Sequence, residues 1–303
     1  MMYKRLISLL FCSAVLTGCA SNTAQQQSHG QMSNLLLAEP APMSARSQMA
    51  IARYNQILAQ ANLKDEERAQ LLQQRGMLYD SVGLAGLAQY DFNQAIQLKP
   101  DLAEAYNALG VHYTQQMEFI QAYEAFDATL DINPDYDFAF LNRGIALYYG
   151  GRPDLAVQDL SAFYAKDETD PYRALWSYLA ASQIDPAAAL KSLEKARNVL
   201  DNDNWATRMV DLYLDRVTEN QLLSGLIQGV VSQQQLTDRL CEAYFYLGKY
   251  HAARGNRGIA SNYFKLALST NVFEYVEYRY ARLELNLLRE DANKEDHADI
   301  QAQ

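Results

Sequence analysis

The sequence predicts an all-α solenoid of helix-turn-helix repeats with irregular hairpins in its middle. Three observations carry this expectation. Gly76, Gly110 and Gly144 recur at intervals of 34 residues, with matching small and large apolar residues around each. No stretch shows the sustained two-residue alternation of a half-buried strand. All seven prolines fit at helix ends or in a polar N-terminal segment.

The chain opens with Lys4 and Arg5, then an apolar run from Leu6 to Leu16 that is too short for a permanent membrane helix. Leu16-Thr17-Gly18-Cys19 closes it and forms a lipobox. Small residues at 17 and 18 suit peptidase access, and the thiolate of Cys19 can be acylated. Residues 1–18 are therefore expected to be a lipoprotein signal peptide, with lipid on Cys19. Removing them leaves 285 residues, enough for a sizeable core. Loss of Lys4 and Arg5 moves the formal charge from −10 to −12. Such a surface argues against nucleic acid as a partner and against electrostatic adhesion to anionic lipid. Membrane attachment is assigned to the acyl chains. Cys12 leaves with the signal and Cys19 carries lipid, so Cys241 remains without an intramolecular partner. Its apolar, helical surroundings predict a buried thiol.

Residues 19–43 are rich in Ser, Asn, Gln and Pro and are expected to form a disordered tether. A helical body is expected over 44–289. Its first helical face is marked by Met49, Tyr54, Ile57 and Leu58. Clear repeats are placed at about 69–102, 103–136, 137–170 and 241–274. The first carries Leu72, Gly76, Tyr79, Ala88, Phe92, Ala95 and Pro100, and the second Tyr106, Leu109, Gly110, Tyr113, Ala122, Phe126 and Pro134. The third has Phe140, Gly144, Leu147, Ala156 and Leu160 without the closing proline, and the late one Tyr244, Leu247, Gly248, Ala260, Phe264 and Ala267. This is the tetratricopeptide pattern: small residues where paired helices approach, large ones beside them. Gly83, Gly151 and Gly255 share the turn offset. Irregular helices are expected near 171–184, 187–199, 203–214 and 218–230, and a last helix near 273–289. The closing residues 290–303, acidic at Asp291, Glu295, Asp296 and Asp299, are expected to be a disordered tail.

No catalytic constellation emerges. His29, His112, His251 and His297 lack a second ligand at metal spacing, and no Ser sits in a GxSxG frame. Asp65, Glu66 and Glu67 suit a helix start, and Gly150-Gly151-Arg152 suits a helix–helix turn. The expectation is a non-enzyme with no cofactor and no metal. A binding groove is expected instead on the first helices of the hairpins, which line the concave face of such a stack. Its candidate residues are Gln73, Met77 and Asp80; Asn107, Val111 and Thr114; Phe138, Leu141, Ile145 and Tyr148; and Phe245 and Lys249. The places where some tetratricopeptide domains clamp a peptide carboxylate hold Gln73, Met77, Ala108 and Phe138, and only Asn142 agrees.

The order of lipobox, polar tether, three tandem units, irregular middle and late unit resembles the NlpI family of gram-negative outer-membrane lipoproteins. The segments carrying the resemblance are Glu67-Arg68-Ala69-Gln70-Leu71-Leu72, Ala122-Tyr123-Glu124-Ala125-Phe126-Asp127, Leu141 to Arg152, Phe245 to Tyr250, and Glu277-Tyr278-Arg279-Tyr280-Ala281. It is weakest across about 185–240 and in both tails. The resemblance implies a homodimeric adaptor that docks a tail-specific periplasmic protease and presents murein endopeptidases to it, and that scaffolds other peptidoglycan hydrolases. Ala20, rather than aspartate, follows the lipid cysteine, which by resemblance sends the protein to the outer membrane, facing the periplasm. Two alternatives stay open: a lipoprotein subunit of an outer-membrane protein assembly machine, and a cell-wall hydrolase. Cys19→Ala is expected to yield a folded protein released from the membrane; recovery of that variant in the outer-membrane fraction would overturn the lipobox assignment.

Overall fold

The computed structural model describes residues 36–60 and 62–301, with side chains to residue 290. Residues 1–18 and Cys19 lie outside the described residues. Among the described residues there are fourteen helices and no strand. Helix α1 spans Ala45–Leu58, and three regular hairpins follow: α2 (Asp65–Ser81) with α3 (Ala85–Leu98), α4 (Ala103–Gln115) with α5 (Phe119–Ile132), and α6 (Asp137–Tyr149) with α7 (Pro153–Lys166). The irregular middle holds α8 (Pro171–Ser182), α9 (Pro186–Arg197), α10 (Thr207–Tyr213) and α11 (Glu219–Gly225). The late hairpin pairs α12 (Gln233–Ala252) with α13 (Arg257–Ser269), and α14 (Val276–Gln301) ends the fold. The chain is thus an all-α, tetratricopeptide-type solenoid of stacked hairpins.

The repeat glycines mark the close approach within each hairpin. A Cβ added at Gly76 would lie 2.8 Å from Phe92, at Gly110 2.6 Å from Phe126, at Gly144 2.6 Å from Leu160 and at Gly248 2.5 Å from Phe264. The four facing side chains are fully buried, as are Ala88, Ala122, Ala156 and Ala260 beside them. Seven residues after each glycine the chain turns with positive φ: Gly83 at 78°, Gly151 at 71°, Gly255 at 75°, and Met117 at 61°. Met117 holds the left-handed conformation with a side chain, which costs roughly 1–2 kcal/mol. Local signals also begin the middle helices. Asp170 and Asp185 accept hydrogen bonds from the first backbone amides of α8 and α9, and proline takes the first turn of each.

Several boundaries differ from expectation. Asp65, Glu66 and Glu67 open α2 as read from the sequence, four residues before the repeat start placed at about 69, and the late hairpin opens at Gln233 rather than 241, capped by Ser232. The expected tether through residue 43 is corrected over 36–43. These residues run without helix along the late hairpin: the Ala41 amide donates to the Thr270 carbonyl at 2.8 Å, Thr237 donates to the Glu39 carbonyl at 3.2 Å, and the Tyr244 hydroxyl donates to the Leu36 carbonyl. Pro40 and Pro42 keep the segment out of a helix, and its backbone groups find partners on α12 and after α13. The expected disordered tail is corrected too, because α14 continues to Gln301. The segment from Arg289 to Gln301 contains no glycine or proline, so no residue in it breaks the helix.

Gly144→Leu forces a branched side chain onto Leu160. It is expected to lower stability by about 1–3 kcal/mol or more, as overpacking does; an unchanged Tm would sink the proposed close approach.

Candidate functional site

The inner surface of the stack is largely filled by the chain itself. Helix α14 crosses the first helices of the hairpins in turn. Arg279 donates to Asp80 of α2 at 2.7 Å, and Gln115 of α4 donates to the Arg279 carbonyl at 3.4 Å. Tyr149 of α6 donates to Glu284 at 2.7 Å, and the Tyr280 ring packs edge-on to Trp176 of α8. Lys249 of α12 forms a buried ion pair with Glu284 and donates to the Tyr148 hydroxyl at 2.7 Å. Burial alone would lower the Lys249 pKa, but the Glu284 carboxylate and Tyr148 hold it above its ordinary value. Burial would likewise raise Asp80, yet His112, 3.3 Å away, and Arg279 hold its carboxyl below the usual range.

This packing corrects the open groove. Val111, Thr114, Leu141, Ile145, Phe245 and Lys249 are buried, and Thr114 bonds to the Gly110 carbonyl. Gln73 is buried and donates to Glu104, and Asn107 accepts from Asn142. Asp80 is held by α14, and Tyr148 packs against Tyr149 and Trp176. Only Met77, at 47% exposure, and Phe138, at 58%, are open to a partner. The expectation placed binding residues on the inner face without allowing for the neighbouring hairpins, which hold Gln73, Asn107 and Val111, or for α14, which holds Asp80 and Lys249. The other residues singled out from the sequence have structural settings. His251 bonds to Glu219 at 2.7 Å and stacks on Tyr263. Cys241 is buried beside the Ala267 carbonyl, and burial pushes its thiol pKa up. Among the described residues no group of three or more His, Cys, Asp or Glu converges as a metal site.

A cleft of about 250 Å³ lies at the N-terminal end of α14. Phe138 and Leu141 from α6 line it with Phe163 from α7. Helix α8 adds Tyr172, Arg173 and Trp176, with Asp170 at its cap; α12 adds Glu242, and the start of α14 adds Glu274 to Glu277. The rings of Phe138 and Phe163 lie 6.2 Å apart, and the Arg173 guanidinium sits 3.8 Å over Phe163 while donating to the Phe163 carbonyl at 2.7 Å. That cation is thus committed to its own helix junction. Glu277 is 6% exposed and has no cationic partner among the described residues. Burial, with Asp170 adding to it, pushes its carboxyl pKa up to about 7. Burial and the charge of Glu277 push Glu242 well above the carboxylate range, although Tyr172 hydrogen-bonds to it. Of the residues expected from the sequence, only Phe138 and Leu141 are brought to this cleft. Trp176, Glu242 and Glu277 were missed; the legible signal for Glu277 was its spacing of seven from Glu284, which puts both glutamates in phase with the buried Tyr280 and Ala281.

No family model matches the chain. Solved structures similar to it include a tetratricopeptide repeat protein from Parabacteroides merdae, at 19% identity and a TM-score of 0.47 over 80% of this chain and 78% of that one. Another is pilF of Pseudomonas aeruginosa, at 20% identity and a TM-score of 0.42 over 73% of this chain and 99% of that one. A third is YrrB, a tetratricopeptide repeat protein described as having an unusual peptide-binding site, at 16% identity and a TM-score of 0.43 over 76% of this chain and 97% of that one.

The cleft carboxyl sets a pH dependence. A folded pKa of about 7 for Glu277, above the ordinary 4.5, means its stabilising contribution is complete below about pH 4.5 and is lost as pH rises through 7. Glu277→Gln mimics the protonated acid. It is expected to melt above the parent at about pH 8, with the difference shrinking toward about pH 5; an equal difference at both values in calorimetry would show that the carboxyl does not titrate in this way.

Proposed function

We propose that this chain is a lipid-anchored periplasmic adaptor of the NlpI type. In this reading it is held to the outer membrane through Cys19, works as a homodimer, and is a binding scaffold rather than an enzyme. It brings a tail-specific protease together with murein endopeptidases or other peptidoglycan hydrolases and so promotes regulated hydrolase degradation. The observation that supports a binding role is the aromatic and acidic cleft beside the exposed Phe138. The identities of the partners rest on the sequence resemblance. Holding two partners on one scaffold raises their effective concentration, which accelerates proteolysis without any catalytic group of the scaffold's own.

The test uses purified full chain, protease and hydrolase. The chain alone is expected to cleave neither peptidoglycan nor peptides, and to speed hydrolase degradation when the protease is present. Equal degradation with and without it would remove the adaptor reading. Leu141 and Tyr148 are packed into the fold, so they make poor probes of a surface. Met77→Glu with Phe138→Glu, both at exposed positions, is expected to weaken capture of at least one partner while helicity by circular dichroism stays unchanged.

A further inference from the structure

Two glutamates lie seven residues apart on the inner stripe of α14, and both are 6% exposed. Seven residues is close to two helical turns, so Glu277 and Glu284 present their carboxyls along one face. Their surroundings differ in one respect. Glu284 is neutralised by the Lys249 ammonium and accepts from Tyr149. Glu277 has no cation among its partners and borders the cleft.

Taking a carboxylate out of water without a counter-charge is costly, so such groups take up a proton or acquire a cation. The cleft supplies room and surfaces for the second outcome. Its volume of about 250 Å³ exceeds that of one long side chain, and the exposed Phe138 and the half-buried Tyr172 present aromatic surface beside the carboxyls, backed by the buried Phe163 and Trp176. Glu274 adds a negative group and Glu242 a second carboxyl, while Arg173, the one cation lining the cleft, is held over Phe163 and pairs with Asp170 at 3.6 Å. The arrangement parallels the Lys249 site, where an ammonium lies 4.4 Å over the Tyr148 ring and pairs with Glu284.

We propose that this cleft receives an arginine or lysine side chain from a protein partner, which pairs with Glu277 against the aromatic wall as Lys249 pairs with Glu284. The proposal rests on the reading of the chain as a binding scaffold, and it is independent of which protease or hydrolase it serves. Phe138 at the rim would contact the partner's backbone, while the buried carboxyls select for positive charge.

The test measures anisotropy of a fluorescein-labelled peptide of alternating alanine and arginine, titrated with full-length protein at about pH 8. The same peptide with citrulline in place of arginine serves as the neutral comparison. The arginine peptide is expected to bind at least about tenfold more tightly than the citrulline peptide, and Glu277→Gln is expected to weaken it by about tenfold or more. Phe138→Ala is expected to weaken it as well. Glu124→Gln, an exposed position on α5, removes the same charge and is expected to leave binding within about twofold. Equal losses from Glu124→Gln and Glu277→Gln would mean that net charge alone attracts the peptide, and overturn the site. Absence of binding, equal binding of the citrulline peptide, or an unaffected Glu277→Gln variant would overturn it too. Accelerated hydrolase degradation alongside any of these results would leave the adaptor reading standing without the cleft. Arginine-selective binding with no acceleration would do the reverse.

Discussion

Paired helices in this chain approach so closely that nothing larger than hydrogen fits between them at Gly76, Gly110, Gly144 and Gly248. Each of these contacts sets the spacing of its hairpin, and each hairpin's first helix is thereby turned toward the inner surface. The rest of the architecture follows from that constraint. Phe92, Phe126, Leu160 and Phe264 fill the space opposite the glycines without exposure. Arg75 with Asp91 and Arg143 with Asp159 then bridge the two helices as bidentate pairs one residue before the glycine and fifteen after it, all at 2.7–2.8 Å. Planar guanidinium–carboxylate pairs of this kind add orientation to the apolar contact.

The repeat itself was legible because it is local. A glycine, a matched large residue sixteen positions on and a turn glycine seven positions on can be read along one stretch of chain. The middle helices were legible for the same reason: an aspartate and a proline announce both α8 and α9. Long-range packing was not legible. Val111 and Phe245 were assigned to an open inner face, but Val111 packs with Ala122, Phe126 and Ala146 of the following helices and Phe245 with Trp176 and Phe264, contacts not readable from the residues next to them. Residues 36–43 likewise read as a polar tether because their partners, Thr237, Tyr244 and Thr270, lie some two hundred positions away.

The inner face is therefore largely a core, bordered by a cleft, rather than an empty groove. Aromatic side chains dominate it: Trp176 meets Tyr148, Phe245 and Tyr280 at centroid distances of 6.0–6.5 Å. Such rings supply large buried area with few rotatable bonds. Two glutamates placed in this setting have different fates, set by whether a cation reaches them. Lys249 reaches Glu284. The nearest guanidinium to Glu277 within the cleft is drawn away to Phe163.

An open stack of hairpins is stabilised by neighbours alone, and its terminal units fray first. Here Phe273, between the last hairpin and α14, lies against the turn at Gly83, and Arg279 grips Asp80 of the same first hairpin. The two ends of the array are thus tied into a circuit. Loss of either end removes support from the other, so the body unfolds as one cooperative unit instead of peeling from its termini. Closing that circuit requires contacts between residues about two hundred positions apart, an entropic step that places its completion late in folding, after the individual hairpins have formed.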